Sequence, residues 1–443
     1  MSSSYFITTL GCPKNQADSR EMERSLSGEG FTRSDNPETA DFHLINSCAF
    51  IEDAKMETIR TVLGAAKIKK KHKNQKLVLV GCFSERYAEN VRTDLPEVDF
   101  SFGTGRYHEA GALIGSKFGP ASKSQSETES EKRSDTERLS PLFSIVKGAS
   151  FAPVKISDGC DRGCSFCAIP IFRGKFRDIP VATIVQESRD LAASGVREVC
   201  LVSQDSNSYG GSPGAFLDLL EALHEVEDLH WIRMLYMYPD GKTEAILNGL
   251  ANRSLPKLVP YLESPIQHAS TRMLRAMRRI GDRERFQAIF SLARSVLPGS
   301  EVRTSVLLGF PGETDADVEE VLEFIEESRP EKLALFSYSP EEGTPGATLP
   351  DQVPTEVTRE RVNRVRNAFL LQHANRQRDL VGQTFRCMVD ETQDQEIIAR
   401  RAQDAPEADG VVYLPNSRLL SPGDLVNVQI TGFAEFDLTG VIV

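Results

Sequence analysis

Six times between residues 154 and 338 the chain alternates a β-prone run with a helical one. The strand candidates are 154–157, 198–203, 231–238, 258–263, 301–308 and 332–338, and helical stretches fall between them near 180–194, 214–226, 242–251, 283–296 and 315–328. Few folds accept that pattern. Successive parallel strands need right-handed helical crossovers, and six βα units roll a sheet part of the way to closure. The expectation is a central partial TIM-like (β/α)6 barrel with ligands at the C-terminal ends of its strands.

The loop after the first of these strands reads Ser157-Asp158-Gly159-Cys160-Asp161-Arg162-Gly163-Cys164-Ser165-Phe166-Cys167. Three cysteines spaced C-x3-C-x2-C on a glycine-bearing loop can converge on one iron–sulfur cluster. A cubane has four irons, and the next cysteine is Cys200, so one iron is left for another ligand. Structural zinc usually takes four ligands in two separated pairs, and a disulfide would leave one cysteine over. The spacing resembles the signature of the radical S-adenosylmethionine (SAM) enzymes. The resemblance implies that SAM binds the open iron and is reductively cleaved to a 5′-deoxyadenosyl radical, with Cys160, Cys164 and Cys167 as both metal ligands and catalytic residues.

The N-terminal part reads as an open α/β unit. Runs 5–10, 41–46 and 76–80 are strand candidates, ending in Gly11-Cys12, Ser47-Cys48 and Gly81-Cys82. Asp18 is a candidate cap for a helix to about Gly28, a charged helix follows from about Glu52 to Lys73, and a third runs to about Asp94. Parallel strands in βαβ units bring their C-terminal ends to one edge, so Cys12, Cys48 and Cys82 are expected to converge there. Three ordinary buried cysteines would not explain why each lies just past a strand. Three converging thiolates again suggest a cluster with one open iron.

Gly11-Cys12-Pro13-Lys14-Asn15-Gln16-Ala17-Asp18-Ser19, Asn46-Ser47-Cys48-Ala49-Phe50-Ile51 and Gly81-Cys82 resemble the N-terminal domain of the methylthiotransferases, radical SAM enzymes with two 4Fe–4S clusters. The resemblance implies that Cys12, Cys48 and Cys82 hold the auxiliary, sulfur-handling cluster. It also implies an electron donor such as flavodoxin or ferredoxin, and a sulfur donor.

Polar clusters mark several strand ends: Ser203-Gln204-Asp205-Ser206-Asn207, Glu263-Ser264-Pro265-Ile266-Gln267-His268 and Leu308-Gly309-Phe310-Pro311-Gly312-Glu313-Thr314. Gln204, Gln267, Gly309 and Gly312, with Phe166, are the candidates for cofactor binding, the glycines because they permit close backbone approach. Each cluster also fits a polar loop capping a helix. Arg162, Arg173, Lys175 and Arg177 suit a carboxylate or phosphate as well as a solvated face. The basic helical run Arg272 to Arg279 suits substrate or solvent. Cys200 reads as core.

The expected domains are 1–115 (methylthiotransferase N-terminal), 116–142 (a linker, Ser/Glu/Lys-rich and without aromatic residues from Ala121 to Pro141), 143–378 (radical SAM core) and 379–443. A charged helix over 353–378 should leave the barrel. Five short strands follow from Val381, suggesting a small OB-like β-barrel. It resembles the TRAM domain, usually an RNA-binding module, and Cys387 there reads as a strand residue.

The methylthiotransferase family divides by substrate: tRNA adenosine beside the anticodon, or the β-carbon of an aspartate in ribosomal protein uS12. Residues 380–443 hold four Lys/Arg (Arg386, Arg400, Arg401, Arg418) against ten Asp/Glu. That is a poor surface for RNA phosphates and a fitting one for a basic ribosomal protein, free or in the small subunit. The Gly11-Cys12-Pro13-Lys14-Asn15 motif and the Arg400-Arg401-Ala402-Gln403-Asp404-Ala405-Pro406-Glu407-Ala408-Asp409-Gly410 stretch also resemble the uS12 branch; the tRNA branch typically has Gly-Cys-Gln-Met-Asn at the first. Gln16 and Ser206-Asn207 depart from the family pattern and leave the cysteines untouched. The net charge of −12 argues against broad nucleic-acid binding, so no tRNA partner is expected. A non-enzymatic iron–sulfur electron carrier would not require six βα repeats and a separate C-terminal module. No apolar run nears the roughly 18 residues of a membrane span. Met1 to Tyr5 begins no signal peptide, so no membrane partner and a cytoplasmic setting with reduced cysteines are expected.

Overall fold

The computed structural model describes residues 3–119, 148–416 and 419–443. They fall into two compact units, one within Met1–Ile145 together with Ala168–Lys175, the other holding Val146–Cys167 and Phe176–Val443.

The first unit is a parallel five-stranded sheet of β1 (Ser4–Thr9), β2 (Thr32–Arg33), β3 (Phe42–Ser47), β4 (Lys76–Gly81) and β5 (Phe100–Phe102), ordered β2-β1-β3-β4-β5. Its helices are α1 (Pro13–Gly28), α2 (Glu52–Lys71), α3 (Cys82–Arg86), α4 (Val91–Asp94), α5 (Ala110–Phe118) and α6 (Ile169–Arg173). Alternation along β4 sends Leu77 and Leu79 into one apolar cluster and Val78 and Val80 into another. Both faces are therefore covered, which is why the central strands read as unbroken apolar runs. Asp18 does not cap α1. Pro13, with its fixed φ, is the first helical residue after Cys12, and Asp18 lies a turn inside, fully buried. The third expected helix is two short ones, α3 and α4. Residues 116–118 finish α5, and the rest of the expected linker, from 120, lies outside the described residues.

The second unit opens with β6 (Phe151–Lys155) and a two-stranded ribbon, β7 (Ser157–Asp158) with β8 (Arg177–Asp178), which brackets the cysteine loop. Parallel strands β9 (Glu198–Val202), β10 (Trp231–Met234), β11 (Tyr261–Glu263), β12 (Glu301–Leu308) and β13 (Lys332–Ser337) follow. Between them run α7 (Val181–Ala193), α8 (Pro213–His224), α9 (Gly241–Leu250), α10 (Thr271–Ala276), α11 (Arg283–Val296) and α12 (Asp315–Ser328). The six barrel strands pair as two ladders, β10-β9-β6 and β11-β12-β13, with one parallel bridge, Ile232 to Leu258, between them. Pro260 has no N–H to donate, so β11 starts after it and not at 258. β10 stops at Met234 because the chain turns at Tyr236, whose φ is 59°.

Helix α13 (Thr355–Leu380) does not leave the barrel; it packs along α12 and β13. Arg361 pairs with Glu313 at 2.9 Å and Arg376 with Glu301 at 3.1 Å. The chain then forms a closed barrel of β14 (Thr384–Thr392), β15 (Glu396–Arg401), β16 (Val412–Pro415), β17 (Leu425–Ala434) and β18 (Asp437–Ile442), ordered β14-β15-β16-β18-β17. Cys387 lies in its core.

Charged side chains join this small barrel to the N-terminal ends of the large one. Arg400 meets Glu198, the first residue of β9, at 2.6 Å. Arg401 meets Glu301, the first of β12, at 3.1 Å, and Asp404 meets Lys332, the first of β13, at 2.8 Å. The C-terminal module is thus fastened to the end of the barrel opposite the cysteine loop. Among the described residues no helix is long and apolar enough to cross a membrane.

Candidate active site

Two cysteine triads lie at strand ends, one in each unit, and none of the eight cysteines is in a disulfide. In the first unit Cys12 caps α1 after β1, Cys48 follows β3, and Cys82 opens α3 directly after β4. The turn at Gly11 (φ 88°) lies so close to Cys48 that a Cβ there would be 2.9 Å from its Cβ and 3.0 Å from its Sγ. Asn15 fastens the edge, donating to Leu10 O at 2.7 Å and Ser47 O at 3.2 Å. Arg173 on α6 is buried beside the triad, donating to Asp18 Oδ2 at 2.7 Å and Asn15 Oδ1 at 2.8 Å. Burial pushes the Cys48 thiol up and the Cys82 thiol up to about 12; the nearby Arg173 charge works the other way in both.

In the second unit Cys160, Cys164 and Cys167 are half-buried on the loop between β7 and β8. The Arg162 amide donates to Cys160 Sγ at 3.4 Å. Arg162 itself is clamped, with Nε 2.7 Å from Asp205 Oδ2 and Nη2 2.9 Å from Asp240 Oδ2. Ser165 ties the loop to α10: its amide donates to Met277 O at 3.0 Å and its hydroxyl to Ala276 O at 2.7 Å. The Gly346 amide donates to Ser165 O at 2.7 Å. Burial pushes the Cys160 thiol up to about 11.

Raised thiols are poor nucleophiles at neutral pH, whereas coordination to a metal removes the proton outright. Cys48, Cys82 and Cys160 therefore fit metal ligation better than thiol–disulfide chemistry. Among the described residues no three Cys, His, Asp or Glu groups are drawn together tightly enough to hold a single ion. Zinc, with Zn–S of about 2.3 Å, would need sulfurs within about 4 Å of one another. The corners of a cubane hold their cysteines farther apart than one zinc ion does, and each triad offers three thiols for three irons of a cluster.

Of the cofactor candidates, Phe166 packs on the apolar cluster of Met273, Met277, Leu307 and Phe310. Gln204 is half-buried with Oε1 unpartnered, its Nε2 3.5 Å from Asp158. Gln267 takes a φ of 72° and contacts Ser305 Oγ at 3.4 Å. Gly309 (φ 83°) lies against Thr358 of α13, whose side chain occupies the space a Cβ would need. Gly312 (φ 78°) accepts from Arg272 Nη2 at 2.9 Å, and its amide donates to Asp351 O at 2.8 Å. Lys175 and Arg177 are exposed. Asn207 is buried, its amide on Tyr238 O, Asp240 and Thr243, so it shapes the loop.

Sequence reasoning missed Tyr238 and did not single out Arg279. The guanidinium carbons of Arg162 and Arg279 stand 3.8 Å and 4.2 Å from the Tyr238 ring centre. Arg279 Nη1 is 3.7 Å from Cys164 Sγ. Nothing in the run Met277-Arg278-Arg279 separates the buried arginine from its exposed neighbour; the turn at Arg278 (φ 53°) does that.

Residues 4–103 match the family model "Uncharacterized protein family UPF0004", 154–325 the Radical SAM superfamily and 381–443 the TRAM domain. Among solved structures, the radical SAM methyltransferase TsrM from Kitasatospora setae aligns with a TM-score of 0.55 at 13% identity, covering 78% of this chain and 74% of that one. The radical enzyme OxsB aligns at 0.53 and 12%, over 83% of this chain and 56% of that one. Both likenesses concern the fold. Among curated proteins, "Ribosomal protein uS12 methylthiotransferase RimO" of Leptospira biflexa is 46% identical over 438 residues, 99% of this chain and 96% of that protein. The protein of the same name from Aquifex aeolicus is 36% identical over 98% of this chain and 96% of its own length. An iron–sulfur cluster and SAM accord with the radical SAM match. The chain belongs to the RimO family of radical SAM methylthiotransferases.

Proposed function

We propose that the chain transfers a methylthio group to the β-carbon of an aspartate in ribosomal protein uS12. The observation that carries the substrate is the surface of the C-terminal module. Its Arg400 and Arg401 are buried in ion pairs, so among its described residues Arg386 is the exposed base. Glu391, Asp394, Glu407, Asp424 and Glu435 are exposed. Such a surface repels phosphates and attracts a basic ribosomal protein. The names of the relatives support the same reading.

We assign one 4Fe–4S cluster to Cys160, Cys164 and Cys167 and a second to Cys12, Cys48 and Cys82. When bound, these groups and SAM supply a radical strong enough to take hydrogen from an unactivated carbon, and a sulfur that SAM can methylate. The protein's part is to fix the cysteine loop through Ser165 and Arg162 and to keep water from the sulfurs. Phe166, Gln204, Gln267, Gly309 and Gly312 are proposed to line the SAM side of the barrel mouth. A one-electron donor such as flavodoxin or ferredoxin and a sulfur donor complete the system. The proposed substrate is ribosomal, so the proposed compartment is the cytoplasm.

Anaerobically reconstituted protein, given SAM, sulfide, a reductant and either uS12 or anticodon-arm RNA, tests this by mass spectrometry. A methylthio group on one uS12 aspartate is expected. Modification of adenosine instead would overturn the substrate, and product on neither would overturn both.

A further inference from the structure

Arg279 is a buried cation without a buried anion. Its side chain is 8% exposed. Nη2 donates to Pro265 O, Nε has no partner, and Nη1 points to Cys164 Sγ at 3.7 Å. Among the described residues no carboxylate pairs with it. Its neighbour on the other contact to Tyr238, Arg162, is held by two carboxylates, Asp205 and Asp240. Taking a charge out of water without a counter-ion costs several kcal/mol. A cation–π contact returns roughly 2 kcal/mol at best, and a neutral thiol is a weak acceptor. Tyr238 offers its ring face and not its oxygen, so the contact that becomes anionic when a metal is bound is the Cys164 sulfur.

We propose that Arg279 is the charge partner of the Cys164 sulfur in its metal-bound thiolate form, and that it thereby raises the reduction potential of the cluster on Cys160, Cys164 and Cys167. This rests on the ligand assignment proposed above. A reduced cluster carries one more negative charge than an oxidised one. A fixed cation and an N–H donor at a ligand sulfur favour the reduced state. Arg162 acts differently. With its charge neutralised by Asp205 and Asp240, it holds the loop in shape and presents its amide to Cys160. Tyr238 is the plate between the two arginines, its hydroxyl accepting from the Ile280 amide at 3.1 Å, one residue past Arg279.

The experiment is an anaerobic redox titration of the full chain without SAM, followed by electron paramagnetic resonance. The parent, R279Q and R279K are compared at matched iron content. R279Q keeps N–H donors and loses the charge. At a fixed potential its reduced-to-oxidised ratio is expected to fall about tenfold, equivalent to about 59 mV for one electron. R279K, which keeps the charge, is expected to lie between R279Q and the parent. A potential unchanged in R279Q overturns the inference, even if SAM affinity falls, since that would make the arginine a SAM ligand. Should R279Q fail to hold iron, the parent grown with guanidino-15N arginine decides. Pulsed resonance on its reduced cluster should show a 15N coupling that R279K lacks, and no such difference overturns the inference. Failure of the parent itself to take up a cluster on these cysteines would instead overturn the ligand assignment, and this inference with it.

Discussion

Glu198 and Arg400 meet at 2.6 Å with their side chains 0% and 1% exposed, one at the foot of barrel strand β9 and the other on β15 of the C-terminal module. Glu198 also accepts from Arg233 Nε at 2.6 Å, and Arg400 donates to Asp390 Oδ2 at 2.9 Å. The carboxylate therefore holds two buried guanidiniums. The attraction of Arg233 and Arg400 overrides burial and keeps the Glu198 carboxyl below its usual range.

Removing that carboxylate should cost more than removing either arginine. Glu198→Ala leaves Arg233 a buried cation without its carboxylate and Arg400 with Asp390 alone, and breaking a buried pair by deleting one partner costs about 3–5 kcal/mol. Arg400→Ala still leaves Glu198 paired with Arg233. Urea unfolding should show the larger loss for E198A, and equal losses would mean that the pairs act independently.

Acid should loosen the same foot. Burial alone would push the Glu301 carboxyl up, but Lys332 and Arg401 beside it hold it at about 2, against an ordinary 4.5. The Asp404 carboxyl is likewise held below its usual range, chiefly by Arg401 and Lys332 against its burial. Groups with depressed folded values bind protons more readily when unfolded. Their stabilisation is present above about pH 4.5 and is lost as pH falls towards 2. The melting temperature should fall steeply across that window, and Glu301→Gln should start lower at neutral pH and show a shallower decline.

Much of the frame is legible in the chain because period and punctuation are local. Strand β12 and helix α12 occupy 301–308 and 315–328, where the strand–helix alternation puts them. Three strands each followed by a cysteine are enough to bring Cys12, Cys48 and Cys82 to one sheet edge. What is not legible is pairing at a distance. Asp18 has the composition of a helix cap, but its carboxylate goes to Arg173, far along the chain. Charge counting finds the C-terminal module acidic without revealing that Arg400 and Arg401 are withdrawn from its surface. The turn that buries Arg279 and exposes Arg278 carries no compositional mark.

Gly309 offers a test of loop packing separate from any ligand. Its φ of 83° costs an L-residue about 1–2 kcal/mol, and a Cβ would run into Thr358. Gly309→Ala should lower stability and displace the loop that Glu313 fastens through the Gly309 amide at 2.9 Å. Thr358→Ala removes the obstructing side-chain tip. The double variant should recover most of the clash part, since only the Thr358 Cβ at 2.9 Å remains in the way, and keep the φ part, a non-additive cycle. Full additivity would mean that the loop moves away from α13 on its own.

The two triads should separate by substitution. Cys160→Ala is expected to abolish SAM cleavage by reduced protein and to remove one cluster's iron. Cys82→Ala is expected to remove the other cluster's iron and to leave SAM cleavage standing, while methylthio transfer is lost. Cys82 is 5% exposed, so truncating it opens a small cavity. Losing one buried heavy atom costs about 1 kcal/mol, too little to unfold a domain of this size. Circular dichroism should therefore match the parent in both variants. SAM cleavage that survives in C160A would refute the assignment of the C-x3-C-x2-C loop. Methylthio transfer that survives in C82A would refute a sulfur-handling role for the N-terminal triad while leaving the radical chemistry intact.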